Sequence, residues 1–327
     1  MPYYPERKPE EPEKEPAPEE RKQEPAAHKR LWAVLLCLCT AAVLYGAVRL
    51  IGYGAELSAS RETSRELQRI SEATDPPPET AAPAAETAEA PLPTPPEPEP
   101  KTTETVKPER KDDGTLQPVP YPDNPGLKVP DRFVRLRKKS GYIVGWISLD
   151  GVEEPVALKD NTFFLNHDAE GKKNSNGAIF LDEETNLLTR PYTLYLYGHN
   201  MKSGNMFGRL KKYLDSSYCY RHRVVTFDSL YEDGQYAVFA AAEFSTLPGK
   251  ATYFDLWALD SKDREERERA IRRLTSMTPY DALLDVRPDE QILLLVTCID
   301  EDTDRLVVAA RRLREGETET QLHLRKE

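Results

Sequence analysis

The sequence predicts a mostly β domain, closed or sandwiched, at the carboxyl-terminal end of a chain that crosses a membrane once. Three observations carry this. About eight short β-rich runs, divided by turn signals and with few helical stretches between them, follow residue 131. Of the 28 prolines, seven lie in 1–30, sixteen in 74–130 and only five beyond residue 130. An uncharged apolar run at 31–48 stands between the two proline clusters.

Residues 1–30 are dense in proline and glutamate and hold too few large apolar side chains to offset chain entropy by burial, so they read as a disordered cytoplasmic tail. The run LWAVLLCLCTAAVLYGAV (31–48) follows. At helical rise it reaches roughly 27 Å, close to the thickness of the hydrocarbon layer. Arg49 can snorkel, which extends the transmembrane anchor to 31–53. A cleaved signal peptide fits less well, because thirty residues precede the run and no small-x-small site closes it. Basic residues flank both ends of the span, so they leave its orientation open. A cytoplasmic amino terminus is favoured, since the proline-rich segment and the chemistry below make sense outside the cell. Residues 54–73 contain strong helix formers, with Arg61, Arg65 and Arg69 at helical spacing, and predict a juxtamembrane helix or, more simply, a solvated stalk. The second proline cluster, 74–130, is then a disordered linker, whose reach is on the order of 100–180 Å if it is polyproline-like.

The folded domain is assigned to 131–327. Its 29 lysines and arginines against 33 aspartates and glutamates exclude a general nucleic-acid binder driven by phosphate neutralisation. Strands are expected at 143–149, 155–158, 178–181, 193–197, 224–227, 236–244, 292–298 and 306–313, and helices at 206–214 and 261–277. Of the four cysteines, Cys37 and Cys39 fall in the membrane span, leaving Cys219 and Cys298. Those two either pair or leave one thiol free for chemistry; no CxxC or HxxxH spacing points to zinc.

Chemistry is expected where apolar strands end. His199 follows TLYLY and a glycine, and Cys298 closes ILLLVT. After six intervening residues Arg305 opens another strand. If those two strands form an antiparallel hairpin, Cys298 and Arg305 face each other across its mouth. A guanidinium there favours the thiolate and can hold a developing oxyanion, so Cys298, His199 and Arg305 form an acyl-transfer set of nucleophile, proton carrier and electrostatic clamp. Cys219 and His222, within YCYRHR, read as structural, and His167 as a turn residue. The acidic run at 300–304 lacks the glycine and glutamate of a calcium loop and reads as solvated.

The segments DNTFFLNHDAEGKKNSNGAIFLD, LYLYGHNMKSGNMFGRLKKY, LLLVTC and RLVV, in this order over about 131–313, resemble a class B sortase. The stretch YGHNM-x-x-G-x-MFG is its most specific part. The resemblance implies an eight-stranded β-barrel with flanking helices, membrane anchoring, and an added helix before the cysteine strand, for which 261–277 is the match. It also implies a cysteine transpeptidase with Cys298 as nucleophile, His199 as its histidine and Arg305 as its arginine. Asn161, Leu165 and Tyr197 resemble substrate-groove positions. Val296 and Ile299 depart from residues common in the class, and the loop before Arg305 is short; these departures touch the groove and hence the sorting motif it reads. The implied partners are surface proteins with a carboxyl-terminal sorting motif and an amine of peptidoglycan or, alternatively, a pilin lysine. No metal or organic cofactor is required. The competing reading from the residues alone is a non-catalytic surface scaffold in which Cys298 is ordinary; an L,D-transpeptidase-like enzyme suits the location, but 99 positions separate His199 from Cys298.

Overall fold

The computed structural model describes residues 26–73, 114–118, 120–281, 284–298 and 303–324. The chain divides into two compact units, one ending at Gly54 and one beginning at Ala55. A single 47-residue helix, α1 (Ala26–Glu72), runs through the boundary. In the first unit its apolar side chains, Leu36, Val43 and Leu50 among them, are exposed. Among the described residues it is the one helix long and apolar enough to cross a membrane. The tail assigned to 1–30 lies outside the described residues as far as residue 25.

Within the second unit the sequence reading needs two corrections. The part of α1 after Gly54 is not a solvated stalk. Leu67 is fully buried in the main core, Ser64 donates to Glu154 at 2.5 Å, Lys139 pairs with Glu66 at 2.8 Å, and Arg135 donates to the Ile70 carbonyl at 3.2 Å. Leu67 and Ile70, three apart, form a narrow apolar stripe that a charge-rich composition hides. The linker also ends before residue 130. Thr115 bridges to Asp263, the Leu116 N–H donates to the Lys262 carbonyl at 2.8 Å, and buried Tyr121 donates its hydroxyl to the Leu187 carbonyl at 2.8 Å. Prolines bar regular structure here but leave Leu116 and Tyr121 free to anchor an irregular segment. Residues 74–113 lie outside the described residues, between Ala73 and Gly114 of the same unit.

The domain is built on eight strands: β1 (Ile143–Leu149), β2 (Val152–Ala157), β3 (Ile179–Leu181), β4 (Thr193–Tyr197), β5 (Val224–Ser229), β6 (Gln235–Ser245), β7 (Ile292–Cys298) and β8 (Asp304–Arg312). They close into a barrel in the order β1-β2-β3-β4-β7-β8-β6-β5. The β2–β3 and β4–β7 pairs are parallel and the others antiparallel. Leu293, Leu295 and Val308 belong to the main core inside the barrel, whereas Leu294, Val296, Val307 and Ala309 belong to a second buried cluster that also takes in Ile271 and Leu274. Burial on both faces explains why β7 reads as an unbroken apolar run.

Bordering this second cluster and packed on β6, α4 (Arg264–Met277) fills the place expected of the added helix. Asp263 caps α4 by accepting from the Glu266 N–H at 2.9 Å. Arg267, fully buried on α4, donates to Thr193 Oγ1 at 2.8 Å and to the carbonyls of Leu259, Tyr192 and Glu290. Three short helices were not visible in the sequence: α2 (Asp131–Lys139), α3 (Ser216–Arg221) and α5 (Glu319–Leu324). Conversely, the helix expected at 206–214 is reduced to a 3-10 turn at Leu210–Leu214. The chain is folded so tightly before it that a Cβ on Gly208 would collide with the Met201 carbonyl, and Met206 sits at φ +49°.

Candidate active site

Three neighbouring strands meet at one end of the barrel. In the parallel β4–β7 pair Tyr197 stands opposite Val296, and the Gly198 N–H donates to the Val296 carbonyl at 3.2 Å. In the antiparallel β7–β8 pair Cys298 stands opposite Arg305. The hairpin expected from the spacing is present, and it brings the end of β7, the start of β8 and His199, one residue beyond Gly198, to the same rim. Cys298 is described as a backbone position, and its side chain lies outside the described residues. The half-buried Arg305 guanidinium donates to the Asp304 carbonyl at 3.3 Å.

The imidazole of His199 is held from below. Its Nε2 lies 2.7 Å from the Leu165 carbonyl. A carbonyl only accepts, so Nε2 carries a proton in this bond and Nδ1 is left for other partners. Gly177 forms the floor: at φ +63° a Cβ would collide with the Phe164 carbonyl and stand 3.0 Å from His199 Cδ2. The N–H groups of Met201 and Phe207 both donate to the His199 carbonyl at 3.0 Å, fixing the backbone of the following loop. Leu165 thus contributes its carbonyl, while its side chain remains at the surface.

Asn161 bonds to, and Tyr197 feels the charge of, a residue the sequence reading passed over. Asp182, directly after β3, is 2% exposed. Its carboxylate accepts from Asn161 Nδ2 at 2.9 Å and from the Glu184 N–H at 3.0 Å. Burial, with the Asp182 charge beside it, holds the Tyr197 phenol well above its ordinary range, while the nearby Arg305 charge pulls the other way. The available signal was an acid closing the apolar run AIFL.

The remaining candidates are structural. His167 stacks on Phe163 with ring centroids 4.0 Å apart and bonds to the Phe163 carbonyl at 2.9 Å. His222 ends α3, and its carbonyl accepts from Tyr213. Cys219 is free and buried, and burial pushes its thiol up, away from the thiolate. The alternative in which Cys219 pairs with Cys298 is thereby removed. Among the described residues no group of His, Cys, Asp or Glu could hold a metal ion; residues 299–302 of the acidic loop lie outside them.

Comparison with known proteins places this rim in a family. The family model described as Sortase domain matches residues 151–313. Sortase B of Staphylococcus aureus is 31% identical over 186 residues, spanning 55% of this chain and 74% of that protein. Sortase B of Listeria monocytogenes is 28% identical over 199 residues, spanning 59% and 76%. The solved Staphylococcus aureus sortase B–substrate complex aligns with a TM-score of 0.50 at 28% identity, over 57% of this chain and 87% of that one.

Proposed function

From the premise that this chain belongs to the sortase family and is a class B transpeptidase, we propose that it cleaves a carboxyl-terminal sorting motif after threonine and passes the acyl group to an amine of peptidoglycan. The Cys298 thiol passes its proton to His199 Nδ1, and the resulting thiolate attacks the threonine carbonyl, forming the S–C bond. The peptide C–N bond breaks, and His199 delivers a proton from Nδ1 to the departing amine. Arg305 holds the oxyanion while it exists. The acceptor amine then attacks the thioester, the new C–N bond forms, sulfur leaves, and the amine's proton returns to His199. None of these roles requires a metal or organic cofactor.

One observation supports this reading above the others: the pairing of Cys298 with Arg305 at the rim where β4 delivers His199. The apolar half of α1 supports a single-pass anchor; we place the amino terminus inside and the barrel outside, where a peptidoglycan amine is available. The test uses the full chain in detergent, a fluorescent peptide from the carboxyl-terminal sorting region of a co-encoded surface protein, and triglycine as the amine. An amine-dependent transfer product is expected, with a fall of at least about 10³-fold for Cys298→Ala. Undiminished transfer by that variant contradicts the assignment.

A further inference from the structure

The Leu165 carbonyl and Gly177, which between them hold the His199 ring, belong to one loop laced to itself. The Ala178 N–H donates to the Phe164 carbonyl at 3.0 Å, and the Asn174 N–H to the Asn166 carbonyl at 2.9 Å. Buried Asn174 accepts on its Oδ1 from the N–H and the Nδ2 of Asn176, both at 3.0 Å. Its carbonyl accepts from the Gly177 N–H at 3.0 Å. Displacing Gly177 therefore displaces the Leu165 carbonyl with it.

The far side of this loop rests on the docked half of α1. Ser60, Thr63, Ser64 and Leu67 recur at the spacing of a single helix face. Leu67 enters the main core, while the three small side chains line a seam with Asp168, Gly177 and Met206. About 10 Å³ is free in that seam, room for no more than a single water. Ser60 is only 5% exposed there. Met206 brings in the second loop that fixes the histidine: it bridges to Asn200, and Phe207 beside it donates to the His199 carbonyl. The helix is fastened at three heights. Ser175 donates to Glu56, Ser64 to Glu154 at 2.5 Å, and Lys139 joins Glu66 at 2.8 Å to Glu170 at 3.5 Å.

We propose that the docked half of α1 is a positioning element of the active site, with Ser60 as its point of contact: it backs Gly177 and Met206 so that His199 Nε2–H meets the Leu165 carbonyl. This rests on the transpeptidase reading above. The bond to Leu165 sets the tautomer, because a carbonyl takes only the protonated nitrogen. Nδ1 is then the atom that receives the cysteine proton and gives it to the departing amine. A small side chain at position 60 lets the helix approach, and a larger one drives helix and loop apart. The ring is then free to turn and to adopt the other tautomer, so the cost falls on the proton transfers and not on peptide binding.

The test compares the full chain in detergent with its Ser60→Leu and Ser60→Ala variants. Leucine overfills the seam, whereas alanine leaves it open to the helix. In steady-state transfer of the fluorescent sorting-region peptide to triglycine, Ser60→Leu is expected to lose about tenfold in kcat with KM within about twofold. Ser60→Ala is expected to stay within about twofold in both. Nuclear magnetic resonance of ¹⁵N-histidine-labelled protein adds a readout that a general loss of stability does not move. The His199 Nε2–H resonance is expected to be protected from water exchange in the wild type and Ser60→Ala, and lost to exchange in Ser60→Leu. Leu322→Ala, which opens a cavity in the other buried cluster, is expected to lower stability in denaturant while keeping that resonance and kcat. If Ser60→Leu fails to fold, the smaller Ser60→Val takes its place. Unchanged kcat in the bulky variant, a loss confined to KM, a His199 resonance that stays protected, or an equal loss of kcat in Leu322→Ala overturns the positioning role and leaves the transpeptidase intact. Absence of any transfer product from the wild type overturns the transpeptidase reading, and the resonance then decides the positioning role alone.

Discussion

Gly177 carries a constraint that no polar residue of the rim reveals. Its left-handed backbone, with the Phe164 carbonyl and the imidazole crowding the place a Cβ would take, leaves no room for a side chain. Gly177→Ala is expected to cost about 1–3 kcal/mol of stability, read by denaturant unfolding, and to lower kcat by at least about tenfold by pushing His199 off the Leu165 carbonyl. The residues that lay at strand ends were legible beforehand, because a strand end fixes a backbone position from local pattern alone. The six-residue gap between Cys298 and Arg305 sufficed to pair them. Asp182 and the Leu165 carbonyl were not legible. One meets Asn161 across 21 residues of chain, and the other acts through its main chain, which every residue possesses.

At the scale of elements, buried polar links tie the helices to the barrel. Arg267 fastens α4 to Tyr192 and Thr193 at the start of β4, to Glu290 just before β7 and to the Leu259 carbonyl. Arg267→Met strands those carbonyls and should lower unfolding free energy by about 3 kcal/mol or more, measured in denaturant. The link between β2 and α1 is sensitive to pH. Burial pushes the Glu154 carboxyl up to about 7 from 4.5, against the hydrogen bond from Ser64. The folded state thus holds this proton more tightly than the unfolded chain. The resulting stabilisation is complete below about pH 4.5 and is lost as pH rises through about 7. Unfolding free energy should therefore decline from pH 4.5 to 7 in the wild type relative to Glu154→Gln, in which that component of the slope disappears. Strands were the best-read elements, since alternation and apolar runs are local, and β1, β4 and β7 agree with expectation at both ends. The short helices escaped because their order comes from docking: α2 buries only Phe133 and Leu136, and α3 only Tyr218 and Cys219.

For the molecule as a whole, the docked helix redraws the domain. The fold class was legible from strand count and proline placement, but the domain boundary was not. Composition marks 74–130 as unable to form regular structure, yet it cannot show that Leu116 and Tyr121 are buried or that Leu67 belongs to the same core. A chain trimmed to 131–327 is accordingly expected to unfold at lower denaturant than one beginning at residue 55, because it leaves the sites of all three side chains open to water. Membership of the sortase family sets aside the reading of a non-catalytic scaffold and leaves the covalent step as the central claim. Intact-mass spectrometry of the full chain with the sorting-region peptide and no amine tests that step directly. A mass gain equal to the acyl fragment, mapped to Cys298 and discharged on adding triglycine, is the predicted result. An enzyme that turns over without that adduct in rapid-quench samples, or that carries it on Cys219, contradicts the account.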